Sequence, residues 1–140
     1  MILNSDGFGD SAKHLVVSEA VREQKLDFVA IIETGRSSFA TPFLRALAGG
    51  IDFSWYVIPP HGRSGGMLVG FNNVTLVAQN VVTGDFCVKF QVTSKLDGFR
   101  WVLVVVYGAA QEAKKMDFWL RWLEFVKMNR CLCWWGEIST

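Results

Sequence analysis

The sequence predicts an α/β (α+β) chain built on a mixed β-sheet with helices on one face. Three observations carry this. Helical periodicity and short apolar runs interleave near both ends of the chain. The middle is a block of strand-like runs with no helix between them, which argues against a doubly wound parallel sheet. One run, "RWVLVVVY" at 100–107, does not alternate apolar with polar, so both of its faces should be covered. A chain of 140 residues, 51% of them hydrophobic, suits a single domain over 1–140 with a core of its own.

The elements follow in order. Residues 1–4 are a short apolar start, and "SDGFGD" is a glycine-punctuated turn in which Asp10 or Ser11 can cap a helix. Over 11–25, Ala12, Leu15, Val16 and Ala20 recur at helical spacing. "DFVAII" at 27–32 is a buried strand that ends at Glu33-Thr34-Gly35 and delivers Glu33 to a loop. A helix is expected over 37–48, with Phe39, Phe43, Leu44 and Leu47 on one side, Pro42 in its first turn and Gly49-Gly50 ending it.

Strands then dominate. "FSWYVI" (53–58) leads through the loop "PPHGRSGG" to "MLVGF" (67–71), and the turn "NN" leads to "VTLVAQNVV" (74–82). In "FCVKFQV" (86–92), Phe86, Val88, Phe90 and Val92 alternate with Cys87, Lys89 and Gln91, the period of a half-covered strand. The turn "KLDGF" precedes the non-alternating run. Residues 111–128 read as a helix apolar on most of its circumference, carrying Phe118, Trp119, Trp122, Leu123 and Val126. A last strand over 130–135 runs into "GEIST".

Charge and cysteines exclude several classes. Fourteen Lys and Arg against 13 Asp and Glu leave no basic footprint for tight nucleic-acid binding by charge alone. Cys87, Cys131 and Cys133 have no zinc-type spacing and read as reduced core residues of an intracellular protein, nuclear or cytoplasmic. No basic start precedes an apolar stretch, so no signal peptide is expected, and no apolar run is long enough to span a bilayer.

Six short motifs occur in one order: "NSDGFG" at 4–9, "AIIET" at 30–34, "GRSGGMLVGF" at 62–71, "VVYG" at 105–108, "FW" at 118–119 and "GEIS" at 136–139. That order resembles the endonuclease/exonuclease/phosphatase superfamily. It is most similar to the endonuclease domain at the start of plant non-long-terminal-repeat (LINE-type) retrotransposon polyproteins. The resemblance implies a partial domain, the N-terminal half of a four-layer α/β/β/α sandwich, from a family of Mg2+-dependent phosphodiesterases. It places Asn4 and Glu33 at the magnesium ligands, Tyr107 beside the scissile phosphate, and Glu137 and Ser139 in the segment that aligns water and supports phosphate.

The departures from the family pattern bear on activity. Leu3 and Asp6 stand where the family has Trp and Arg, Glu137 where it has Asp, and Ser139 where it has Asn. The family's late Asp-His pair would lie beyond Thr140, and neither His14 nor His61 is at its position. The expectation is therefore a truncated, degenerate relative with impaired catalysis and at most a weak Mg2+ site. From the residues alone, Glu33 is an acid exposed at a strand end, where open sheets place ligands, or else a solvated loop acid. Arg63 and Ser64, with the Gly65-Gly66 backbone, form either an anion-contacting loop or a solvated hairpin.

The resemblance makes nucleic acid a possible partner. Packing suggests a second class of function. An uncovered face on 101–107 would leave apolar area in water, at roughly 10 kcal/mol per 400 Å². A homo-oligomer or a protein partner covering that face is the alternative to an enzyme.

Overall fold

The computed structural model describes residues 2–4, 11–60, 65–84 and 87–106. The element order is β1 (Ile2–Asn4), α1 (Ser11–Glu23), β2 (Phe28–Ile32), α2 (Thr41–Leu47), β3 (Phe53–Ile58), β4 (Met67–Asn72), β5 (Leu76–Thr83), β6 (Cys87–Ser94) and β7 (Arg100–Val106). The expected helix over 111–128 and strand over 130–135 lie outside the described residues, as do Cys131 and Cys133.

The strands divide into a four-stranded sheet in the order β1-β2-β4-β3 and a three-stranded sheet in the order β5-β6-β7. The chain forms two compact units, Met1–Val77 and Ala78–Thr140. Periodicity does not reveal this division, because "NN" between β4 and β5 looks like the turn of one continuing sheet. Asn72 and Asn73 instead anchor the turn to the first unit. The Asn72 side-chain oxygen accepts the Val74 N–H at 2.9 Å, Ser54 donates to Asn73 at 2.7 Å, and Thr75 donates to Asp27 at 2.9 Å.

In the first unit, β1 runs parallel to β2, while β2 and β3 both run antiparallel to β4. One face packs under the helices around Val17, Val21, Val29, Ile31, Leu47 and Leu68, with Phe43, Phe53, Trp55 and Val57 against them. The opposite face pairs Phe28 with Phe71, Ala30 with Val69 and Ile32 with Met67. All of these but Phe28 are buried, and Tyr56 meets Phe71 edge-on at 5.9 Å. Each fully buried aliphatic or aromatic side chain contributes roughly 1.5–3 kcal/mol by removal from water.

Helix α1 turns its face differently from the expectation. Leu15 and Val16 are 58% and 57% exposed, whereas Val17 and Val21 are buried. Apolar residues stand at 15, 16 and 17 in succession, so spacing alone leaves the phase open. The inward stripe is His14, Val17 and Val21, with His14 edge-on to Phe43 at 4.7 Å. Helix α2 is shorter than the expected 37–48. Pro42 sits in its first turn, and Ala40 before it is extended, with φ −67° and ψ 143°. A ring without an N–H suits the start of a helix, not its interior.

Gly70 and Trp55 lock the register of β3 on β4. They are directly paired, and a β-carbon on Gly70 would lie 2.4 Å from the Trp55 ring. The indole therefore lies across the glycine, and a one-residue slip would put Val69 or Phe71 beneath it.

In the second unit, β6 pairs antiparallel with β7 from Cys87↔Val106 to Thr93↔Arg100. Val88, Phe90 and Val92 are buried and Gln91 is exposed, the half-covered pattern expected of β6. Leu103, Val104 and Val105 are each no more than 1% exposed, so the centre of β7 is covered on both faces. The β6–β7 turn is held by Asp97, which accepts the Phe99 N–H at 3.0 Å. No helix among the described residues is long and apolar enough to cross a membrane.

Candidate functional site

The site begins with a pair of parallel strands. In β1 and β2, Asn4 is in register with Ile32, and Glu33 is the next residue. Asn4 and Glu33 thus occupy the same C-terminal end of neighbouring strands, which lie roughly 4.8 Å apart. Open sheets place ligands at such ends. By register, that end of the sheet carries one residue of amide type and one of carboxylate type. That donor chemistry fits a hard divalent cation that keeps most of its water. Among the described residues, no group of three or more His, Cys, Asp and Glu is placed to hold a metal.

Glu33 is half-buried and sits at φ 60°, in the left-handed region. For a residue with a β-carbon this costs about 1–2 kcal/mol, so the surroundings must hold it there. They do so through the segment before β4. The last β2–β4 pair is Ile32↔Met67. Beyond it the Gly66 carbonyl accepts the N–H of Glu33 at 2.8 Å and, more weakly, that of Thr34 at 3.4 Å. The Gly65 carbonyl accepts the Gly35 N–H at 2.6 Å.

These contacts need glycine at 65. A β-carbon there would lie 2.8 Å from the Glu33 α-carbon and 3.1 Å from its β-carbon. Gly66 has φ 79°, which favours glycine for a separate, conformational reason. From the residues alone, Gly65-Gly66 belong either to an anion-contacting loop or to a solvated hairpin. The structure shows both carbonyls hydrogen-bonded to the Glu33 segment. The available signal was a glycine pair directly before a buried strand, but its partner lies some thirty residues away in sequence and is invisible to local pattern.

The remaining candidates are not brought to this site by the described structure. Arg63, Ser64 and His61 lie outside the described residues, as do Tyr107, Glu137 and Ser139. His14 packs between the helices. A groove of about 460 Å³ beside α2 and β3 is lined by Thr41, Arg45, Asp52, Phe53 and Trp55 among others, and does not include Glu33.

No protein-family model and no curated protein matches the sequence. Solved structures do match the fold. Mannosyl-6-phosphatase Bt3783 from Bacteroides thetaiotaomicron superposes with a TM-score of 0.61 at 10% identity, covering 91% of this chain and 58% of that one. D. rerio TDP2 complexed with a single-strand DNA product gives 0.62 at 11% identity, covering 91% and 53%. An endonuclease/exonuclease/phosphatase family protein from B. thetaiotaomicron gives 0.62 at 10%, covering 94% and 60%. The architecture is thus that of the endonuclease/exonuclease/phosphatase fold, and the chain spans little more than half the length of these structures. One neighbour is named as a mannosyl-6-phosphatase and another is complexed with single-strand DNA product, so the fold by itself leaves the substrate open.

Proposed function

We propose that this chain is a degenerate relative of Mg2+-dependent nucleic-acid phosphodiesterases, of the plant LINE-type endonuclease kind, that keeps part of the metal site and has lost most of the catalysis. The observation that carries the reading is the parallel β1–β2 pairing, which places Asn4 and Glu33 at one end of the sheet. A divalent ion held there would polarise a phosphoryl oxygen and offset its charge. Two protein donors leave the rest of its shell to water and phosphate, so binding should be weak.

The case for impairment rests on substitutions in the motifs. Glu137 is one methylene longer than the family Asp that aligns the attacking water. Ser139 has no amide with which to support the phosphate. A well-placed acid or base contributes typically about 10²–10⁴-fold in rate, and misplacing it forfeits most of that.

Supercoiled plasmid and abasic-site duplex incubated in Mg2+ or Mn2+ test the reading. The expected result is no cleavage above that given by Glu33→Gln. Metal-dependent nicking that vanishes in Glu33→Gln would overturn the impairment and make the chain an active nuclease. The alternative is a homo-oligomer or a protein partner that covers a sheet face.

A further inference from the structure

We infer that Gly65 is a positioning residue for Glu33: its bare backbone sets where the carboxylate sits, and a side chain there would remove the cation site without unfolding the sheet. The inference rests on the proposed reading of Glu33 as a cation donor.

Three features of the structure converge on it. Glu33 is held at φ 60°, where a non-glycine residue is strained and has to be fixed by its neighbours. The backbone on its two sides is tied to one dipeptide, through Glu33 N–H to Gly66 and Gly35 N–H to Gly65. The gap between Gly65 and Glu33 is too small for a methyl group, since a β-carbon would lie 2.8 Å from the Glu33 α-carbon. The atom in the way is backbone, so it cannot rotate aside as the end of a long side chain would. The Glu33 segment itself must move.

Gly35 provides an internal control. It has φ 66°, so alanine there meets a comparable backbone penalty, yet nothing lies within 4 Å of its would-be β-carbon. Strain alone and displacement of Glu33 can therefore be separated at two positions two and thirty-two residues along the chain from Glu33.

The experiment is a Mn2+ titration of the isotopically labelled chain, read by paramagnetic broadening of backbone amides, with melting temperature measured in metal-free buffer. In the unmodified chain, broadening should centre on Asn4 and Glu33. Gly65→Ala should weaken Mn2+ binding at least about tenfold while α1 and β3 amides keep their positions. Gly35→Ala should lower Tm by a few degrees and leave the affinity within about twofold. Glu33→Gly should abolish binding and raise Tm by a few degrees, because glycine relieves the left-handed conformation.

Unchanged affinity in Gly65→Ala, or an equal loss in Gly35→Ala, would overturn the positioning role. If Gly65→Ala fails to fold, Glu33→Gly still decides whether the seat holds a strained residue, and a Tm at or below the parent value would overturn it. Failure of the cation reading looks different: Glu33→Gln would bind Mn2+ as the parent does, while the Tm responses of Glu33→Gly and Gly35→Ala stand unchanged.

Discussion

Strands β4 and β6 are close in length and apolar content, yet they are buried in different ways. All six residues of β4 are buried, and so are four of the five in β2. In β6 the buried positions are Val88, Phe90 and Val92, while Gln91 between them faces water. Packing on both sides leaves β2 and β4 no direction in which to yield. A residue at the end of such a strand can be kept in an unfavourable conformation, as Glu33 is. The second sheet also holds a left-handed residue, Asn80 at φ 51° in β5, but there it is an exposed asparagine, a residue type that tolerates this region.

The widest test of this contrast uses neighbouring residues on opposite faces. Met67→Ala and Leu68→Ala should each destabilise by about 2–5 kcal/mol, because both faces of β4 are dry. In β6, Phe90→Ala should cost about 3–5 kcal/mol, whereas Gln91→Ala should stay within about 0.5 kcal/mol. Urea unfolding measures all four, and a Met67→Ala cost as small as that of Gln91→Ala would break the comparison.

A smaller effect tests rigidity rather than burial. Gly70→Ala forces a methyl group into the Trp55 ring and should cost about 1–3 kcal/mol, the usual range for overpacking. If β4 were free to shift, the same change would be close to neutral. The urea midpoint distinguishes the two.

The smallest effect belongs to the second sheet. The Phe99 N–H, and after it the Ser94 side chain, hydrogen-bond Asp97 and hold its carboxyl below the ordinary value of 3.8. A carboxylate with a lowered folded pKa stabilises the turn fully above its unfolded value. That contribution fades as pH falls through the folded value, so the window lies below 3.8. Asp97 is fully exposed and the effect is local. Protection of the Phe99 amide should decline on acidification in the parent chain and be low and flat with pH in Asp97→Ala.

Much of the fold could be read from the residues. The strand over 27–32 and the acid that follows it were legible because an unbroken apolar run stops at a charged residue. β6 was legible because it alternates. The phase of α1 was not, since three successive apolar residues fit more than one stripe. The split into two sheets was hidden for a different reason: which strand a strand pairs with is decided by tertiary contacts, not by the turn before it. The seat of Glu33 was hidden in the same way. Its glycines can be seen in "GRSGG", but what they approach depends on the β2–β4 register. Asn4 became a candidate only through family resemblance, and the β1–β2 pairing then placed it beside Glu33.

The crossing of Trp55 over Gly70 has a consequence for how this gene can drift. Its two residues answer only to the sheet, so the pair should persist, or change jointly, in every descendant that still folds, whether or not it cuts anything. A bulkier residue at 70 would survive only beside a smaller one at 55. Gly65 answers to Glu33 instead. Among related genes it should be free to vary where the acid has already gone, and hardly at all where the acid remains. Inheritance at these two glycines would thus record separately how long the fold has been kept and how long the seat of Glu33 has been kept.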